Sequence, residues 1–343
     1  MIDFRYHLVS IIAIFFALAT GIVLGAGPLS DTIDDTLTDQ TADLREENRG
    51  LRDELESAGE EQAYQEAFVD EVMPRLVSGQ LQDQRVAIIP LPGAEEETVE
   101  QVQETLERAG AQSELIVRIE PTWTDPDSEP VLDELATELV SSGVELGSGN
   151  GFDRGSTVLA SALLSQQVET SPGVEDAAQT VDTTVVSAYE EAGMLRLEQD
   201  TSTAPTLAVA VAGPVSGEDA EERLDRLVTL LAELDSAGNG VVVAGPSFAA
   251  EGGVLTAVRG SDAAEDVSTV DVADLPTGRA AVIFALTEQQ RGNTGHYGVI
   301  GEVDGALPPV PEENGTEPED GGDDESGEGE NGSDDSDDEG GDQ

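Results

Sequence analysis

His296 is the residue of this chain best suited to chemistry. It lies in the glycine-rich stretch Gly292-Asn293-Thr294-Gly295-His296-Tyr297-Gly298. An imidazole there could hold a metal or titrate near neutral pH. It could equally be a loop histidine hydrogen-bonded to backbone beside a packing tyrosine, and residue types alone leave both readings open. The other histidine, His7, belongs to the amino-terminal tip. There is no cysteine, so no disulfide, no Cys-ligated zinc and no thiolate metal site can form. Met1, Met73 and Met194 are scattered, and no Met-x-x-Met pair or histidine cluster offers a tight soft-metal site. The remaining ligands are carboxylates, which suit hard ions or weakly held divalent ones.

Motifs for catalysis are missing as well. No Gly-x-Gly-x-x-Gly or Walker-type loop follows an apolar run, and there is no Gly-x-Ser-x-Gly elbow. The candidate phosphate-binding turns carry proline where a cradle needs donating N–H groups. Paired carboxylates carry no information in so acidic a chain. A non-enzymatic protein is expected, with no resident cofactor; an enzyme acting on envelope material is the remote alternative.

The elements that must position these residues fall into four zones. The first is residues 1–30, where Leu8 to Ala26 is uncharged and, at about 1.5 Å per residue, just spans a hydrocarbon core. A cleaved signal peptide is the alternative. The run is long for one, and Leu24-Gly25-Ala26 lacks Ala-x-Ala and leads into Pro28. An uncleaved single-pass anchor is therefore expected. Arg5 on one side and Asp31, Asp34 and Asp35 on the other put the amino terminus in the cytoplasm and the body outside it. Ala13, Ala17, Gly21 and Gly25 recur every fourth residue, a face on which two helices can approach closely.

Residues 31–80 read as a helical, coiled-coil stalk. Leu37, Leu44, Leu51 and Ala58 are seven apart; as d positions they place Thr41, Asn48 and Leu55 at a, with Asn48 setting register. Glu47 and Arg52 then form an attractive g–e′ pair in a parallel dimer, so a homo-oligomer is expected. A solvated single helix is the other reading. Tyr64, Phe68, Val72 and Leu76 mark a face expected to dock on something before Pro74 and Gly79 close the element.

Residues 84–307 form the body. The apolar runs Arg85–Ile89, Leu115–Ile119, Thr206–Val211, Gly240–Ala244 and Ala280–Leu286 read as strands. Amphipathic helices are predicted from about Glu95 to Ala109 and from Glu218 to Ser236, and the stretch Val131–Gly193 reads as a mostly helical insertion. Continuous apolar strands alternating with helices indicate an α/β fold with a mostly parallel sheet covered on both faces. One domain, or two subdomains at about 84–200 and 204–307, would both fit. Residues 308–343 contain sixteen acidic residues and no basic one, and are expected to be a disordered acidic tail.

The charge bears on partners. Asp and Glu number 73 against 15 Arg, for a formal net charge of −58. Such a field repels phosphate backbones, which excludes nucleic acid as a partner. Spread over stalk and body, it describes a salt-exposed extracytoplasmic surface better than a local cation-gathering site. With 3% aromatics and few, short strands, a membrane β-barrel is not expected.

Ile2-Asp3-Phe4-Arg5-Tyr6-His7-Leu8-Val9-Ser10 with the apolar run after it resembles the opening of the actinobacterial family of mycobacterial copper transport protein B (MctB). Three later segments follow one another as in that family. They are Ser268-Thr269-Val270-Asp271, then Pro276-Thr277-Gly278-Arg279, then Gly295-His296-Tyr297-Gly298. The resemblance covers roughly residues 1–301 and omits the acidic tail. It implies a cell-envelope protein associated with copper efflux or tolerance, with copper as the transported ion. It also implies an outer-membrane or envelope location, and envelope proteins are candidate partners. An anchored scaffold whose body binds such a partner is the competing function.

Overall fold

Continuous apolar runs build the sheet. β1 (Val86–Pro90), β4 (Leu207–Val211) and β5 (Val241–Ala244) are buried at every position, as strands covered on both faces must be. Alternate residues divide between the faces. Ala87, Ile89, Ala208, Ala210, Val241 and Val243 enter one apolar cluster. Val86, Ile88, Leu207, Val209, Val211 and Val242 enter the other. The computed structural model describes residues 4–25, 29–166, 179–250 and 252–309, and the side chains of all of these but 29–42. Ala26, the side chain of Leu37 and the acidic run from residue 310 therefore lie outside the described residues.

Seven strands form one sheet in the order β3-β2-β1-β4-β5-β6-β7. Here β2 is Ile116–Ile119, β3 Leu195–Gln199, β6 Ser268–Val270 and β7 His296–Tyr297. All neighbours are parallel except β2 and β3. Strands from both halves of residues 84–307 meet at the β1–β4 pair, where Ile88 faces Val209. On one side of the sheet lie α3 (Glu96–Arg108) and α10 (Pro276–Gln289), with the end of the long helix α2 (Leu29–Val77) packed on them. The other side is covered by α4 (Glu129–Leu139), α5 (Gly151–Leu163), α6 (Thr183–Glu191), α7 (Ala220–Ala237) and α9 (Val254–Arg259). A four-residue turn, α8 (Ser247–Ala250), precedes α9. The helical stretch expected between Val131 and Gly193 is α4, α5 and α6.

Three expectations need correction. Ala280–Leu286 is not a strand but the middle of α10. The sheet covers one face of this helix and α2 and α3 the other, so eleven of its fourteen residues are buried. No polar stripe then distinguishes it from a buried strand; the helix-starting proline, Pro276, was the signal available. Second, the Gly295–Gly298 segment is not simply a loop beyond the last strand, because His296 and Tyr297 are themselves β7. Third, Tyr64, Phe68 and Leu76 are exposed, while Met73 and Val77 are buried and Val69 packs against the same cluster. The docked face is thus Val69, Met73 and Val77, with Val72 half-buried at its margin. Pro74 does not end α2, which runs through to Val77.

α1 (Phe4–Gly25) is a 22-residue helix with every side chain exposed. It is the one helix among the described residues long and apolar enough to cross a membrane. At about 1.5 Å per residue, the 49 residues of α2 extend roughly 73 Å.

One half-buried carboxylate works against the fold at neutral pH. Asp235, at the end of α7, accepts the Val241 N–H at 2.9 Å and so fixes the start of β5. Burial, with the nearby Asp266 charge adding to it, pushes its pKa up to about 6. A folded-state pKa above the unfolded value means that its stabilising contribution is full below about pH 4 and lost as pH rises through 6. Asp235→Asn keeps the acceptor and removes the charge. It is expected to stabilise the protein at pH 7 by about 1 kcal/mol after allowance for solvent screening. Urea titrations should show that gain at pH 7 and its disappearance at pH 4.

Candidate functional site

Two of the segments singled out in the sequence, Ser268–Asp271 and Gly295–Gly298, meet at the carboxyl end of the sheet's β7 edge. Asp271 follows β6 and is fully buried. Its Oδ2 accepts from Arg259 Nη1 at 2.9 Å and from the Ile300 N–H at 3.1 Å, and its Oδ1 accepts from the Val299 N–H at 2.8 Å. Arg259, from the last turn of α9, also donates through Nε to Thr269 Oγ1 at 2.7 Å, and to the carbonyls of Ile300 and Tyr297. One buried ion pair thereby ties α9, β6, β7 and the chain after β7. Gly298 is a condition of this arrangement: its φ is +136°, and a Cβ there would overlap the Asp271 carboxylate. Ser268 is equally structural, since its Oγ accepts from Gln289 Nε2 at 2.8 Å and from the Gly295 N–H at 3.2 Å. Val270 is a core residue.

His296 stands at the rim of this network. Its Nδ1 lies 3.0 Å from Thr269 Oγ1. That oxygen also accepts from Arg259 Nε, and its own proton can point at Nδ1, an arrangement that goes with the tautomer protonated at Nε2. Burial lowers the His296 pKa and the Arg259 charge lowers it further, while Asp304 and the Ala264 carbonyl oppose them. A neutral imidazole held in this way fits the hydrogen-bonded reading of the loop. His296 also lines a cavity of about 380 Å³ with Thr256, Arg259, Glu302 and Asp304. Among the described residues no group of three or more His, Asp or Glu side chains is placed to hold a metal ion. Tyr297 is buried, donates to Glu288 Oε2 at 2.5 Å, and has its pKa raised by burial and by that carboxylate.

Gly278 and Arg279 lie elsewhere, where α2 is seated on the body. A Cβ on Gly278 would overlap the Val272 carbonyl, so glycine lets α10 start against the β6 exit. The Arg279 side chain is almost buried. Its Nη1 donates to the Asp274 carbonyl at 2.8 Å and to Gln101 Oε1 at 2.9 Å, and Nη2 lies 3.8 Å from Asp70 on α2. Burial lowers its pKa, partly offset by Asp70.

Folds of this strand order hold ligands in the crevice between β1 and β4, where the chain direction across the sheet reverses. Here that crevice is filled by backbone. A Cβ on Gly213 would overlap the Gly93 carbonyl group and the Ala94 nitrogen, and one on Gly93 would lie 3.0 Å from the Pro214 carbonyl oxygen.

The remaining predicted residues are laid out along the two long helices. Leu8, Ala13, Ala17, Gly21 and Gly25 are exposed on α1, and a Cβ on Gly21 or Gly25 would meet nothing within 4 Å. Leu44, Asn48, Leu51 and Leu55 are exposed on α2. Sequence reasoning missed Arg259, the cation on which the β7 edge depends. Its signal was scarcity: an arginine closing the short apolar segment Val254–Arg259 has few neighbours of its own sign in so acidic a chain.

These features define a class: a doubly wound α/β body seated on a long helix, behind an apolar helix of membrane-crossing length. The chain belongs to the MctB family. A family model described as "Copper transport outer membrane protein, MctB" matches residues 1–308. Curated mycobacterial relatives bear the name "Copper transporter MctB". That of Mycobacterium tuberculosis (strain ATCC 25618 / H37Rv) is 30% identical over 314 residues, covering 87% of this chain and 96% of the relative. That of Mycobacterium leprae (strain TN) is 29% identical over 307 residues, with the same coverage.

Proposed function

We propose that this chain is a membrane-anchored cell-envelope protein that takes part in copper transport and tolerance without enzymatic activity. The observation that carries this reading is the family match over nearly the whole described chain, to a family described by copper transport. α1 supplies the membrane contact. The described strands are two to five residues long, well short of the roughly 9–11 that a membrane-spanning strand needs. Arg5 on one side of α1 and the acidic stalk on the other orient the amino terminus to the cytoplasm and the body outward. Copper is cargo in this reading, and no residue is assigned as its ligand. A strain lacking this chain should accumulate copper and become copper-sensitive; wild-type copper content and tolerance in that strain would end the transport reading. Protease accessibility of the body in intact cells tests the orientation.

The stalk makes the protein a homo-oligomer. From Asp43 to Gln65 every α2 side chain is exposed, and isolated helices owe little stability to propensity alone. Leu44, Leu51 and Leu55 gain a partner if a second copy pairs with them in parallel, around Asn48. Proline inside a helix costs about 3 kcal/mol or more, so Leu51→Pro is expected to halve the sedimentation mass of the purified chain. An unchanged mass would refute stalk pairing. A second reading, an anchored scaffold for another envelope protein, is favoured by the backbone-filled crevice between β1 and β4.

A further inference from the structure

We propose that α10 is a mechanical link that makes the His296 cavity at the sheet edge respond to the seating of the stalk. This goes beyond the copper reading and does not depend on stalk pairing. The motif segments lie at the two ends of one buried helix of 14 residues, about 21 Å long. At its amino end, Gly278 abuts Val272, and Arg279 bonds the Asp274 carbonyl, Gln101 of α3 and, more loosely, Asp70 of α2. At its carboxyl end, Glu288 accepts the Tyr297 hydroxyl at 2.5 Å. Gln289 Nε2 donates to Ser268 Oγ at 2.8 Å and to the Asp266 carbonyl at 2.7 Å. Ser268 Oγ in turn takes the Gly295 N–H.

The amino half of α10 is joined to α2 by close packing, Met73 and Val77 lying in one buried cluster with Ala280, Ala281 and Ile283. Its carboxyl end is joined to the β7 edge by directional hydrogen bonds, which weaken steeply with angle. Between the ends α10 is buried against sheet and helices, so it moves as a rod. Tilting α2 about its seat at Met73 and Val77 shifts the amino half of α10 that packs against it. The same rod carries Glu288 and Gln289, which hold Tyr297 and the approach to His296. The body thus contains a path from the anchored helix to the 380 Å³ cavity. Coupling of this kind is a difference in free energy between two ends of one element and is measured as such.

Hydrogen exchange of the purified full chain in detergent tests the link. Arg279→Gln removes the bonds at the amino end, and Met73→Ala loosens the seat from the stalk side while leaving Arg279 in place. Either variant is expected to speed exchange of the 295–300 amides on the order of tenfold. Leu159→Ala, a core substitution on the opposite face of the sheet, serves as the control and should leave those amides unchanged. If Arg279→Gln fails to fold, Met73→Ala still decides. The link is overturned if the 66–77 segment loosens while 295–300 keeps its protection, or if Leu159→Ala has an equal effect.

Discussion

Asp271→Asn is expected to destabilise the protein by about 3–5 kcal/mol, the usual consequence of removing one partner of a buried ion pair. The reason lies in what the substitution leaves behind. Arg259 and Asp271 are 7% and 0% exposed at their side chains, so water cannot replace the lost charge. The Asn carboxamide could still accept one of the Val299 and Ile300 amides. Its NH₂ group, however, would face the other donors, setting donor against donor inside the fold. For a chain of this size the loss corresponds to a fall in Tm on the order of 10 °C. His296→Gln bounds the claim from the other side. It keeps a partner for Thr269 at a half-buried rim, and should cost less than about 1 kcal/mol. If thermal unfolding shows the two variants equally stable, the edge is not held by the ion pair.

The contrast between these two residues shows which parts were legible in sequence. The buried strands β1, β4 and β5 could be read because parallel strands covered on both faces are apolar throughout, and Pro92-Gly93, Gly213-Pro214 and Gly245-Pro246 mark their exits. α3 and α7 could be read because each keeps one polar face. α10 has none, so its Ala-Ala-Val-Ile-Phe-Ala-Leu core carries the signature of a strand. β3, β6 and β7 escaped for a different reason. β3 is an edge strand with exposed Arg196, Glu198 and Gln199. β6 and β7 are three and two residues long, too short for any period to register.

For the site, the sequence pointed to the right segments and the wrong member of them. His296 stands out because histidine is rare here and versatile in chemistry. The geometry puts the energy instead in Asp271 and Arg259, residue types that an acidic chain makes inconspicuous. Their pairing spans α9 and β6, and the turn between them gives no local spacing rule that would announce it. Gly278 and Arg279 were read as one more stretch of the same family pattern. They do separate work at the stalk seat, which became visible only when α2 was found packed on α10.

Gly213→Ala is expected to cost about 3 kcal/mol or to prevent folding, although it adds a single methyl group. Glycine at this position is not required by backbone dihedral, since its φ lies outside the positive region. The obstacle is space, because the new Cβ would overlap backbone atoms of Gly93 and Ala94 on the facing loop. Backbone cannot escape by changing rotamer, so the β1 and β4 exits must separate and the strands behind them must follow. Overpacking by one or two methylenes against side chains typically costs about 1–3 kcal/mol, and a backbone obstacle belongs at or above the top of that range. Gly193→Ala isolates the alternative cause. Its φ is +74°, yet nothing lies within 4 Å of the added Cβ, so only the dihedral penalty of about 1–2 kcal/mol applies. Urea midpoints for the two variants should therefore differ, with Gly213→Ala the lower. Equal midpoints would mean that the β1 and β4 exits can part at little cost, and that the crevice filled by backbone can open.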